Sequence, residues 1–140
     1  LAEVKATSAS LRIWSEGLDP AEITLALGVQ PTTAHNMGEM FGPRKQVRAR
    51  HGAWHLSADR QPGDCLGDQI MALLGSTSDD RQVWNDICAN HKVDMFCGVW
   101  LDEPGEGLRL EPGVLAALAH RGIPLELDVY FGEPDQPVMK

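Results

Sequence analysis

One phrase occurs twice in this chain, and it constrains the fold more than any other feature. Leu18-Asp19-Pro20 opens a short apolar-periodic segment that ends at Gly28-Val29, and Leu110-Glu111-Pro112 opens a second that ends at Gly122-Ile123. Aspartate caps a helix N-terminus, proline suits the first helical position, and glycine adopts the left-handed conformation that stops a helix. In the first copy Glu22 can reach back as in a capping box, and Leu18 and Ile23 stand at hydrophobic-staple positions. Ile23, Ala26 and Leu27 share one face there; Val114, Leu115, Leu118 and Ala119 do so in the second copy. The spacing predicts two equivalent helices, over 19–27 and 111–121, packed on the same face of one sheet. Both copies follow residues of strand character, so the chain reads as a single α+β domain, 1–140, with internal pseudo-symmetry.

The remaining elements follow from period. Thr7–Trp14 alternates Ser8, Ser10 and Arg12 against Ala9, Leu11 and Ile13, the pattern of a strand with one polar face. Residues 31–51 hold Asn36, Gly38, Gly42 and Pro43 with no sustained period, and read as a long loop with a short strand near Gln46–Ala49. Ala53–Ala58 reads as a strand, 64–74 as a helix, and a helix capped by Ser78 or Asp79 runs to Asn90. Val93–Leu101 is an apolar strand, Leu108–Leu110 a short one that can pair back, and Pro124–Phe131 the last. The order β-α-β-α-α-β-β-α-β suggests a largely antiparallel sheet with helices on one face, nearest to a ferredoxin-like variant. Residues 1–6 and the tail from Gly132 read as loose ends.

The chain resembles the DUF4279 family of uncharacterised, mostly bacterial small proteins. The residues that carry the resemblance are Ser10-Leu11-Arg12-Ile13-Trp14, Leu18-Asp19-Pro20 with Ile23-Thr24, Leu27-Gly28, Pro31-Thr32, Gly38-Glu39 and Trp54. Gly122-Ile123-Pro124-Leu125 and Leu127-Asp128-Val129-Tyr130 complete the match, while 59–90 is weakly diagnostic. The resemblance implies a small single-domain protein. It implies no activity, and no catalytic residue is carried over from it.

Composition narrows the function classes. A net charge of −8 over 140 residues disfavours phosphate backbones, so nucleic-acid binding is not expected; a basic protein partner is compatible. The longest apolar runs are far too short for a membrane span, and the sequence opens with no basic stretch before an apolar one, so no leader is expected in it. Cys65, Cys88 and Cys97 lack CxxC spacing and read as free thiols in a reducing, cytoplasmic setting. His35, His51, His55, His91 and His120 show no HxH or HExxH spacing, so neither a metal nor a cofactor is expected.

The sharpest charge asymmetry is Arg44-Lys45-Gln46-Val47-Arg48-Ala49-Arg50-His51, with four of the chain's twelve Lys and Arg. Guanidinium forks suit carboxylates and phosphates. The candidate ligand- or partner-binding residues are therefore Arg44, Lys45, Arg48, Arg50 and His51, with Trp14 as an aromatic neighbour. The same cations could instead be solvated or paired with the chain's own acids. Cys97, in an apolar run, reads as a core thiol rather than a nucleophile. Trp54 and Trp84 read as core, Trp14 and Trp100 as half-exposed. Asp128 shares a face with Glu126 and Tyr130 and, if covered, needs a partner such as Arg12.

No assembled catalytic motif is visible. The first reading is a non-enzymatic protein-binding domain; one version, by analogy of size and charge alone, is an immunity-type protein that binds a basic partner. The alternative is a small anionic-ligand or enzymatic domain that uses the Arg44–Arg50 loop. The oligomeric state is not legible.

Overall fold

The computed structural model describes residues 2–59 and 64–134. In chain order the elements are β1 (Ala2–Glu3), β2 (Ala6–Ser15), α1 (Pro20–Leu27), β3 (Thr33–His35), β4 (Met40–Phe41), β5 (Val47–Arg48) and β6 (Gly52–Ser57). Then follow α2 (Leu66–Gly75), α3 (Arg81–Asn90), β7 (Lys92–Leu101), β8 (Glu106–Gly107), α4 (Pro112–Arg121) and β9 (Leu125–Phe131). Five strands form one sheet in the order β3-β6-β2-β7-β9, antiparallel except for the β7–β9 pair. The fold is α+β with a mostly antiparallel sheet. A ferredoxin-like variant would split each helix-linked strand pair. Here β2–β6 and β7–β9 are direct neighbours, so that finer order is not reproduced.

The repeated phrase does what its chemistry dictates. α1 begins at Pro20, with the Asp19 side chain accepting from the Ala21 backbone N–H at 3.1 Å, and stops at Gly28 with φ 76°. α4 begins at Pro112 and stops at Gly122 with φ 74°. Glu111 stands at the N-cap of α4 without a side-chain capping bond, and glutamate is not among the residues favoured at that position. Leu18 and Ile23 are both buried, as a staple requires. Both helices feed one core: Ile23, Leu27, Val114 and Leu118 join Ala9, Leu11, Ile13, Trp54, Met95 and Cys97 from the sheet. α2 adds Leu66, Ile70, Leu73 and Leu74, and α3 adds Trp84 and Ile87. All four helices thus cover the same face.

Several polar groups inside this layer are paired, although Arg121 Nε at the end of α4 is buried without a hydrogen-bond partner among the described residues. Trp84 Nε1 donates to the Ser78 carbonyl at 2.7 Å and Trp54 Nε1 to Thr24 Oγ1 at 3.0 Å. Thr7 and Gln69 exchange two hydrogen bonds, which pins α2 to β2. α3 is capped by Asp80, one residue later than the sequence spacing suggests, with Ser78 bracing the cap.

Three local readings change. The expected loop over 31–51 carries its expected short strand near Gln46–Ala49 as β5, but more is built: β3 joins the sheet edge, and β4 pairs with β5 as a separate two-stranded hairpin. The strand expected at Leu108–Leu110 is absent; the short strand is β8, and it pairs in parallel with β1 rather than back onto β7. That pairing ties down Ala2–Glu3, part of the expected loose lead-in. The tail beyond Pro134 and residues 60–63 lie outside the described residues.

Candidate functional site: the uncovered sheet face and the basic hairpin

Because strand side chains alternate, the residues not turned to the helices make a second face. β2 contributes Ser8, Ser10, Arg12 and Trp14; its pairing registers place His55 beside Arg12 on one side and Asp94 on the other. β7 adds Phe96, Gly98 and Trp100, and β9 adds Glu126, Asp128 and Tyr130 in register with them. β3 brings His35 and Thr33 beside Ala53 and His55.

Arg12 is the centre of this face. Its Nε donates to Asp94 Oδ1 at 2.8 Å and its Nη2 to Oδ2 at 2.6 Å, a bidentate fork across two strands. The guanidinium carbon lies 4.1 Å from the Phe96 ring centroid and 5.4 Å from that of Trp14. Asp94 is nearly buried, so the fork neutralises a charge that would otherwise be costly. The hydrogen bonds that Arg12 donates to Asp94 raise the Arg12 pKa, and the charges of Asp94, Glu126 and Asp128 add to that against the opposing effect of burial. His55 is held below its ordinary value of 6.5, first by burial and then by the Arg12 charge.

Toward β9 the face becomes acidic and aromatic. Trp100 stacks on Tyr130 at 5.2 Å, and the Tyr130 hydroxyl donates to Asp128 at 3.0 Å, which raises the phenol pKa. Asp128 therefore pairs with Tyr130; the expected Arg12–Asp128 contact is replaced by Arg12–Asp94, because Asp94 lies directly across from Arg12 in the ladder. Gly98 makes room for the indole: a Cβ there would meet Trp100 ring carbons at 2.6 and 2.7 Å.

The segment that carries most of the cationic candidates is a ribbon. Gly38 N–H donates to the Ala49 carbonyl and Ala49 N–H to the Glu39 carbonyl, both at 2.8 Å. A turn closed by Lys45 N–H on the Gly42 carbonyl makes the tip, with Lys45 in the left-handed region at φ 51°. Phe41 stacks on His35 at 4.8 Å, so the ribbon is anchored at the β3 margin of the uncovered face. Arg44, Lys45, Arg48 and Arg50 are exposed, as are Met37, Met40, Phe41 and Val47. Arg48 donates to the Gly38 carbonyl at 3.3 Å, a brace within the ribbon. An open groove of about 780 Å³ runs along Met37, Val47, Arg48 and Arg50, and a smaller hollow of about 250 Å³ holds Arg44 near Phe41 and Pro43. Neither is lined by Trp14, which stands half-buried on β2 against Arg12, nor by half-buried His51.

Sequence reasoning missed Asp94 and Phe96 as parts of a site. The signal was present: an aspartate inside the apolar run Val93–Leu101 must be paired, and Phe96 shares its parity. Cys97 is fully buried, and burial pushes its thiol up to about 12, far from a nucleophile's range. Cys65 is exposed and Cys88 half-buried, so only one of the three thiols is core. Among the described residues no helix is long and apolar enough to cross a membrane.

A family model described as a domain of unknown function, DUF4279, matches residues 3–132. Comparison with curated proteins and with solved structures gives no match.

Proposed function

The chain belongs to the DUF4279 family, and from that premise we propose that it is a non-enzymatic protein-binding domain that meets its partner with the uncovered face of its sheet. The observation that carries the reading is the Arg12 centre. A guanidinium fixed by a bidentate carboxylate and flanked by Phe96 and Trp14 is rigid before any partner arrives. Arginine and large aromatics in such settings dominate interface energetics. The Trp100–Tyr130 stack beside it extends the same surface. The acidic balance of the chain and of β9 favours a basic partner. Three unpaired cysteines support a reducing, cytoplasmic setting.

The groove along the hairpin favours a second reading, an anionic ligand or acidic segment held by Arg48 and Arg50. One experiment separates the two. Tagged wild-type chain, Trp100→Ala and the double variant Arg48→Ala/Arg50→Ala are used for quantitative capture from the source cell. Loss of a captured partner with Trp100→Ala alone supports the sheet face; loss with the arginine pair alone supports the hairpin and overturns the first reading.

A further inference from the structure

The outer edge of β9 carries an inference that rests on the sheet-face reading and names the partner's chemistry. β9 ends the strand order, so one of its edges pairs with no strand among the described residues. It is seven residues long, where the opposite edge strand, β3, has three. Proteins guard edge strands by shortness, proline, bulges or charge. β9 has charge of one sign only, and only on one side. Leu127, Val129 and Phe131 on the helix side are 45%, 58% and 77% exposed, since no helix covers them. Glu126, Asp128 and Tyr130 alternate with them on the uncovered face. The edge is therefore apolar below and acidic above, and the backbone groups between them meet no further strand among the described residues.

We propose that β9 accepts an extended segment in which basic and apolar residues alternate, and adds it to the sheet as a further strand. Main-chain hydrogen bonds supply the docking, and alternate side chains supply the choice. Directly opposed residues on one face sit about 4.5–5.5 Å apart, so Lys or Arg meets Glu126 and Asp128 while apolar side chains meet Leu127, Val129 and Phe131. A carboxylate accepts several hydrogen bonds, so Asp128 takes an incoming cation as well as the Tyr130 hydroxyl. An acidic segment is refused by the same geometry. A second copy fits less well: antiparallel pairing over all seven residues sets Asp128 against the second copy's Asp128, between chains of net charge −8.

The test is fluorescence anisotropy with three labelled heptapeptides: alternating Lys-Val, alternating Glu-Val, and a block peptide of four lysines followed by three valines. The wild-type chain should bind the alternating basic peptide about tenfold or more tighter than the block peptide of equal charge. The variant Glu126→Lys/Asp128→Lys should lose that binding and take the Glu-Val peptide instead. Because those residues also face Arg12, a second variant, Leu127→Ser/Val129→Thr on the exposed apolar side, guards against misfolding and should weaken the same binding. Equal affinity for alternating and block peptides, or indifference to both variants, overturns the proposal. So does sedimentation showing that β9 is occupied by a second copy. Since the assay reads β9 alone, its failure leaves the Trp100 capture result standing on its own.

Discussion

Replacing Arg12 by Met isolates the energetics of the central fork. Methionine keeps most of the stem against Phe96 and Trp14 but removes the guanidinium, leaving Asp94, only 9% exposed in its side chain, without its partner. Removing one member of a buried pair costs roughly 3–5 kcal/mol. The Arg12 side chain is 31% exposed, so water can reach the vacated place and soften the loss. The lost cation–π contacts add back about 0.5–1 kcal/mol. The net expectation is a destabilisation of about 3 kcal/mol, measured as a lower urea midpoint at unchanged slope. Asp94→Leu in the Arg12→Met background should recover most of it, because an apolar pair replaces an orphaned charge. A loss below about 0.5 kcal/mol for Arg12→Met would refute the reasoning, since it would class the fork with exposed ion pairs.

Gly52→Ala should be among the most damaging single-methyl additions in the chain, costing about 2 kcal/mol or more, because the new Cβ would stand 2.3 Å from the Leu18 backbone carbonyl oxygen; a near-neutral thermal shift would contradict that packing. Arg48→Ala/Arg50→Ala should change stability by less than about 1 kcal/mol, since both side chains are exposed and the Gly38 brace is long; a loss near 3 kcal/mol would make them structural. Acidification should destabilise the fold through His55. Its folded-state pKa lies below the ordinary 6.5, so its share of stability is full above that value and is lost as pH falls through it toward the folded one. The groups around it are Arg12 and Asp94 across the ladder and His35 and His51 nearby. His55→Gln should shrink the drop in urea midpoint between pH 7 and pH 5.5, and an unchanged drop would refute the assignment.

The parts of this fold written in local chemistry were legible. The Asp19-Pro20 start and the Gly28 and Gly122 stops need only neighbouring residues, and the alternation along Thr7–Trp14 gives its two faces directly. Pairing across distance was not. Arg12 could be assigned an acidic partner from parity, but Asp94 and Asp128 share that parity, and only the ladder register decides between them. The 31–51 segment lacked a sustained period because its strands are two or three residues long, too short for alternation to register. Its cations were visible as a cluster. Their separation from Trp14 was not, because it depends on the ribbon being anchored at β3, which β6 separates from β2.

β2 lies in the middle of the sheet yet is the first of its five strands in chain order. Its partner Asp94 follows Arg12 by 82 residues, so at about 5–20 residues per second the emerging strand waits roughly 4–16 s for β7 to be synthesised. During that interval Ala9, Leu11 and Ile13 have no complete core to enter. The intervening Ser8, Ser10 and Arg12 then act as gatekeepers, breaking an apolar stretch that would otherwise be free to pair with a neighbouring nascent chain. The residues that shape the uncovered face of the finished protein thus also protect its unfinished one.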